Sequence, residues 1–380
     1  MITRSLQGII EEKLFKGKAI IVIGARQVGK STLLREIVNT KNMASLFLDC
    51  DEPEVRELLT NTNTQRLKSL IGNNKIVVID EAQKVAGIGQ TLKLITDNIK
   101  EVQLLVSGSS SLMLQNTINE PLTGRKYEYF LYPLSTKELY DYKGFLYVNQ
   151  ILESRLIYGS YPDIVNNSWD SKDLITNLTG SYLYKDILTM DNIRKPALLD
   201  KLLVALALQV GNEVSYNELA QTVGTDNKTV EKYIDLLEKC FIIFKLSAYN
   251  KNIRTELKKS KKIYFYDNGI RNAVIQRFSP LNMREDSGAL WENFIIGERI
   301  KANQYNKNYV RSYFWRTTQQ QEIDYLEESE GQLLAFEFKW NPKKGKTSVP
   351  KIFTDTYSVK KISVITPANY LEWIGAAQAK

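Results

Sequence analysis

Residues 19–38 read AIIVIGARQVGKSTLLREIV, and no other stretch limits the fold of this chain so closely. An apolar run of the kind found in a buried parallel strand leads into Gly24-x4-Gly29-Lys30-Ser31, and a helical pattern follows. The glycines permit a tight loop whose backbone N–H groups point inward at phosphate oxygens. Lys30 is placed to reach the β and γ phosphates and Ser31 to ligate Mg²⁺, while the following helix offers its positive end. The expected nucleotide-contacting set is Gly24, Ala25, Arg26, Gln27, Val28, Gly29, Lys30, Ser31 and Thr32, with ATP and Mg²⁺ as the expected ligands.

Two further apolar strands extend this reading. KIVVIDEAQK (75–84) ends in Asp80-Glu81, where Asp80 is expected in the Mg²⁺ shell and Glu81 is expected to polarise the attacking water. VQLLVSGSSSLML (102–114) passes from apolar residues into serines, so that Ser107 or Ser109 falls between the phosphate loop and the acidic pair; a small-residue turn reads the same way. PLTGRKYEYFLYPLS (121–135) adds Arg125, a candidate to stabilise transition-state charge in its own subunit or across an oligomer interface, with pairing to Glu128 as the alternative.

Composition removes whole classes of chemistry. The 380 residues contain no histidine, so serine–histidine hydrolysis and histidine-ligated metal centres are excluded, and acid–base work falls to carboxylates, lysines, tyrosines and hydroxyls. A net charge of +8 favours a polyanionic partner, and DNA is the expected one. The two cysteines, Cys50 and Cys240, sit by apolar residues and read as reduced core residues. The longest apolar run, LLVALALQV (202–210), is too short to cross a bilayer, and the N-terminus has acidic residues where a signal peptide has an apolar core, so a cytoplasmic protein without a membrane partner is expected.

GARQVGKSTLL, VVIDEAQK, LLVSGSSS and LTGRKYEYFLYPLS resemble a family of bacterial and archaeal AAA-type ATPases that carry a C-terminal domain of unknown function. The likeness continues through YGSYPDIV (158–165), YLYKDIL (182–188), YFYDNGIRNAV (264–274) and LWENFI (290–295), so it covers nearly the whole chain. It implies an ATP-binding core, a winged-helix region and a nuclease-like C-terminal fold. Residues 136–195 read as helical and tyrosine-rich, and the resemblance implies a lid that turns nucleotide state into movement.

In VSYNELAQTVGTDNKTVEKYIDLLEKCFIIFKL, Ser215 and Glu218 read as a capping box, Gly224 as a break, and Val230, Ile234 and Leu237 as the buried stripe of a second helix. An apolar strand and a lysine-rich segment follow, which is the order of a winged helix. Lys228 and Lys232 alternate with Glu231 and Asp235 on the second helix, so the lysines of the wing, Lys258, Lys259, Lys261 and Lys262, are the expected DNA contacts, with a solvated loop as the alternative.

QQQEIDYLEESEGQLLAFEFKW (319–340) places Asp324 thirteen residues before Glu337, with Lys339 two further on, on a strand where Phe336 and Phe338 face the other way. Any half-buried edge strand shows that alternation. With Glu292 on the helix pattern GALWENFIIGERIKA (288–302), it resembles the PD-(D/E)XK nucleases, and the resemblance assigns Glu292, Asp324 and Glu337 to one or two Mg²⁺ or Mn²⁺ ions and Lys339 to the nucleophile.

The expected architecture is α/β: an AAA-type P-loop NTPase core with a parallel sheet over 1–140, a helical lid over 141–195, a winged helix over 196–275 and a restriction-endonuclease-like domain over 276–380. The expected catalytic residues are Lys30, Glu81, Ser109 and Arg125. The expected activity is Mg²⁺-dependent ATP hydrolysis acting on DNA, with metal-dependent cleavage or remodelling as its output and a homo-oligomer as one form. The alternative is a nucleotide-dependent switch that binds DNA or protein and has an inert nuclease-like part.

Overall fold

The computed structural model describes residues 1–109, 121–180, 196–249, 261–317, 319–341, 350–357, 359 and 361–377. Its N-terminal part is built on five parallel strands: β1 (Ala19–Ile23), β2 (Ser45–Asp49), β3 (Ile76–Asp80), β4 (Gln103–Gly108) and β5 (Lys126–Phe130), in the order β2-β3-β4-β1-β5. Every residue of β1, β3 and β4 is buried, as expected where helices cover both faces of a parallel sheet. Strand β5 closes one edge and is only half-buried along its length. Strand order reverses at β1, so the crevice beyond its C-terminal end, where the phosphate loop begins, is where such sheets take ligands.

Helices Thr136–Gln150, Leu152–Tyr158, Pro162–Asn166 and Ser171–Leu178 follow, the first of them kinked at Gly144. The YLYKDIL segment (182–188) lies outside the described residues. Next come helices Pro196–Leu208, Tyr216–Val223 and Asn227–Lys239, then β7 (Ile243–Ala248) and β8 (Lys261–Phe265), which pair antiparallel, with the short β6 (Glu213–Val214) on the far edge of β8. Ser215 caps the middle helix by accepting from Glu218 N–H, and Asp226 caps the third by accepting from Thr229 N–H at 3.0 Å.

This hairpin does not stand alone. Strand β7 runs parallel to β9 (Arg311–Arg316), and β10 (Glu322–Ser329), β11 (Gln332–Phe338) and β12 (Ile362–Ile365) complete one seven-stranded sheet, ordered β12-β11-β10-β9-β7-β8-β6. The sheet therefore crosses the boundary expected at residue 275. Strands β9 and β10 pair antiparallel. The turn between β10 and β11 uses Glu330 and Gly331, both at positive φ, the backbone a two-residue hairpin needs.

The long helix Ser287–Tyr305 packs on this sheet and reaches back to the N-terminal part. Glu298 is buried and is met by Arg155 at 3.1 Å, Lys301 at 2.8 Å and the Thr136 N–H at 2.5 Å. Tyr132 stacks on Tyr266, and its N–H donates to the Tyr305 hydroxyl. Several strings of the resemblance turn out to be architecture. Asn293 of LWENFI donates to the Phe265 carbonyl and accepts from the Phe265 N–H. Asp267 accepts from the Ser160 N–H, and a Cβ on Gly159 would meet its carboxylate at 1.8 Å.

Candidate functional site

The phosphate loop is shaped by close packing. A Cβ on Gly24 would fall 2.1 Å from the Leu131 carbonyl oxygen, so glycine is required there by the approach of the segment after β5. Gln27 has φ 60° and Gly29 φ 95°, and Gly29 opens the helix Lys30–Lys41. Lys30 is buried, and its ammonium donates to the carbonyls of Gly24 at 3.1 Å and Ala25 at 2.9 Å, spanning the loop it is expected to serve. Ser31 and Thr32 lie in the first helical turn, while Ala25, Arg26 and Val28 form the loop's wall. A cavity of about 250 Å³ opens beside Gly29 and Thr32, bounded by the N-terminal segment and by Pro162 and Asn166 of the helices that follow the core.

An arginine that sequence reasoning missed holds this loop. Arg4 is buried and donates to the Val28 carbonyl, to the Tyr132 carbonyl at 2.6 Å and to Glu138 at 3.0 Å. Glu138 also accepts from the N–H groups of Ser5 and Ser135, each at 2.8 Å, and the Ser135 hydroxyl accepts from the Glu138 N–H, which completes a capping box. The only sequence signal was S-x-x-E at 135–138.

Strands β3 and β4 bring the acidic pair to the same end of the sheet. The Ser107 hydroxyl donates to buried Asp80 and accepts from the Glu81 N–H at 3.1 Å, so it fixes the Asp80 carboxylate and the Glu81 backbone. Ser109 acts one step away: Gln83 donates to its hydroxyl at 2.9 Å and to the Glu81 carboxylate at 2.5 Å. Glu81 sits at φ 51°, in the left-handed region. Burial, and then Asp49, Asp80, Asp51 and Glu81, push the neighbouring Cys50 thiol up to about 12. Ser31 and Asp80 present the hydroxyl and carboxylate oxygens that a hard dication takes, so the donor set fits Mg²⁺.

Arg125 does not join this group. Register pairs Lys126 with Ala19, so Arg125 stands at the N-terminal end of β5, about 20 Å of extended chain from the loop. It pairs with Asp97 at 2.7 Å rather than with Glu128, which takes Lys126. A role for Arg125 on phosphate bound in its own subunit is thereby corrected.

The C-terminal carboxylates do converge. A register irregularity in β10 lies between Ile323 and Leu326 and re-aims Asp324, which accepts from the Phe338 N–H at 2.8 Å. Glu337 and Lys339 share a face and pair at 3.0 Å. The helix Ser287–Tyr305 supplies Glu292, which accepts from the Tyr264 hydroxyl at 2.6 Å and from Lys262 at 3.2 Å. Lys262 also pairs with Glu322, and its side chain is 1% exposed. Of the wing lysines, then, Lys262 is turned inward; Lys258 and Lys259 lie outside the described residues. The cationic place among Glu292, Glu322 and Asp324 is held by an ammonium, and among the described residues no three His, Cys, Asp or Glu side chains are grouped to hold a metal ion. The metal assignment of Glu292, Asp324 and Glu337 does not fit this arrangement. Burial pushes Glu292 up to about 7, opposed by Lys262 and aided by Asp324, and burial likewise raises Asp324 and Glu337.

On the third helix of the middle region, Val230, Ile234 and Leu237 are buried as expected. Asp235 and Glu238 are drawn to Lys245 of β7 at 2.7 and 2.6 Å, which leaves Lys228, Glu231 and Lys232 on the exposed face.

Residues 16–140 match the AAA domain family. The N-terminal third of the chain is an AAA-type domain. Residues 149–281 match a Domain of unknown function (DUF8612), and 287–376 match another, DUF4143. The first of these runs through both the expected lid and the expected winged helix without a break. The chain is 28% identical to an uncharacterized protein of Haemophilus influenzae, over 67% of this chain and 68% of that one. It is 25% identical to an uncharacterized protein of Mycobacterium tuberculosis, over 90% and 74%. The solved Thermotoga maritima RuvB Holliday junction branch migration motor aligns at TM-score 0.33 and 14% identity, over 68% of this chain and 95% of that one. No described helix is long and apolar enough to cross a membrane.

Proposed function

We propose that this AAA-type protein hydrolyses ATP with Mg²⁺ and acts on DNA. The observation that carries the reading is the convergence of Lys30, Asp80, Ser107 and Glu81 at the C-terminal end of β1, β3 and β4, beside a glycine loop that admits no Cβ at position 24. When phosphate enters the loop, Lys30 exchanges two carbonyl acceptors for phosphoryl oxygens. Ser31 and Asp80 would hold a Mg²⁺ ion, which neutralises charge on the transferring phosphoryl group. Glu81, oriented by Ser107 and Gln83, takes a proton from the attacking water. Among the described residues, Gln83 Oε1 is buried without a partner, an acceptor beside Glu81 for that water's second hydrogen. DNA contact is supported by the net charge of +8 and by Lys228 and Lys232 on the exposed face of the helix Asn227–Lys239, where Asp235 and Glu238 share Lys245.

For the C-terminal part the inert reading is favoured by Lys262, whose ammonium already compensates Glu292 and Glu322. The output is then a nucleotide-dependent rearrangement on DNA rather than cleavage. An Arg125 acting on a neighbouring subunit belongs to this reading only in an oligomer.

The test is turnover. Lys30→Ala is expected to lose ATP binding, and Glu81→Gln to keep binding while hydrolysis falls by roughly a hundredfold or more. Wild-type hydrolysis by Glu81→Gln would remove the assignment.

A further inference from the structure

A cavity of about 550 Å³ lies between edge strand β5 and the turn that ends the helix Ser287–Tyr305. Tyr127 and Tyr129, two apart on β5, share one face of the strand and line it. Tyr309 lines it from the opposite side and is 91% exposed, so its ring faces are open to a ligand. All three tyrosines line the one cavity, and burial first, then Tyr127, Glu12 and Tyr309, raise the Tyr129 phenol.

Cations frame the rings. The ammonium groups of Lys13 and Lys18 stand 5.6 and 5.1 Å from the centre of the Tyr127 ring, and Lys307 lines the cavity beside Tyr309. The acids nearby are Glu12 and Glu128, and Glu128 is paired with Lys126. Aromatic faces interleaved with lysines, in a cavity rather than on a flat face, suit a strand whose bases are unstacked and whose backbone is anionic. A duplex keeps its base faces covered and gains only the lysines.

We propose that this cavity is a groove for single-stranded nucleic acid, with Tyr127, Tyr129 and Tyr309 stacking on bases and Lys13, Lys18 and Lys307 following the phosphates. The proposal rests on nucleic acid being the partner but is independent of ATP hydrolysis. A base that takes the Tyr127 ring releases the two ammonium groups toward its own phosphates.

Fluorescence anisotropy on the full chain tests it, with labelled oligo-dT, oligo-rU and a blunt duplex as probes. The wild type is expected to bind a single strand more tightly than the duplex, and the two single strands tell DNA from RNA. Joint Tyr127→Ala and Tyr309→Ala substitution is expected to weaken single-strand binding about fivefold or more per ring, while Tyr127→Phe retains it. Lys13→Ala and Lys307→Ala are each expected to flatten the salt dependence by about 0.7 in log–log slope. Lys30→Ala is expected to bind oligonucleotide like the wild type, so an absence of ATP turnover with tyrosine-dependent binding intact would refute the ATPase reading and leave the groove standing. A wild type that binds no oligonucleotide, that prefers the duplex, or that is unaffected by loss of both tyrosines overturns the groove.

Discussion

Replacing Lys262 by Met tests the closed carboxylate cluster directly. The side chain is 1% exposed and pairs with Glu292 at 3.2 Å and with Glu322, and Asp324 adds its field. Methionine keeps most of the volume and removes the charge, which leaves two carboxylates without their cation in a largely buried site. Losing one partner of a buried pair costs about 3 to 5 kcal/mol. At about 2 to 4 °C per kcal/mol for a unit of this size, the midpoint of the C-terminal part is expected to fall by about 6 to 20 °C at pH 8. Four of the five tryptophans, Trp291, Trp315, Trp340 and Trp373, lie in that part, so intrinsic fluorescence follows it. Lowering the pH to 6 protonates Glu292 and is expected to recover part of the loss, and Glu292→Gln in the Lys262→Met background more of it. A loss under about 1 kcal/mol with no pH dependence would show that Lys262 is solvated. A wild-type midpoint raised by millimolar Mg²⁺, and not raised in Asp324→Asn, would show that the cluster takes a metal after all.

Three other outcomes are expected. Gly24→Ala places a methyl group 2.1 Å from the Leu131 oxygen, so binding of a fluorescent ATP analogue is lost while far-UV circular dichroism is kept. Glu298→Gln leaves buried Arg155 and Lys301 without their carboxylate, and calorimetry is expected to show a loss of about 3 kcal/mol or more. Wild-type stability is expected to fall as pH rises from about 4.5 to about 7. Glu292 holds its proton in the folded state and loses it in the unfolded one across that window, a change of about 3 kcal/mol in equilibrium urea titrations.

The phosphate loop was legible because its chemistry is local: the strand, the glycines and the lysine are contiguous, and backbone geometry does the rest. Asp80 and Glu81 were legible for the same reason, one strand away. Arg125 was a candidate for its own subunit's phosphate because a motif string carries no strand direction, and its partner Asp97 is distant in sequence. In a parallel sheet the residue before β5 lies at the opposite end from the residue after β1. Lys262 was misread because KKSKKIYFYD looks like a solvated tip. The alternation from Lys262 to Tyr264 was the available signal, since both end on Glu292. Arg4 itself carried no signal beyond the S-x-x-E of its partner Glu138, because Val28, Tyr132 and Glu138 are brought together only by the tertiary fold.

The two ends of the molecule are joined by one rigid element. Leu131, against which Gly24 packs, begins the segment that runs through Tyr132 and Leu134 to Thr136. That segment is gripped by Arg4 on the loop side, and by Glu298, Arg155 and Tyr305 on the other. Glu298 and Glu292 are six residues apart on a single helix, about 9 Å along its axis. Packed backbone and buried ion pairs thus run without a break from the phosphate loop to the helix that carries Glu292. Gln at 298 weakens that grip without touching either site. If the connection runs this way, Glu298→Gln uncouples ATP-induced changes in Trp291 fluorescence from ATP binding, whereas Lys262→Met leaves them coupled.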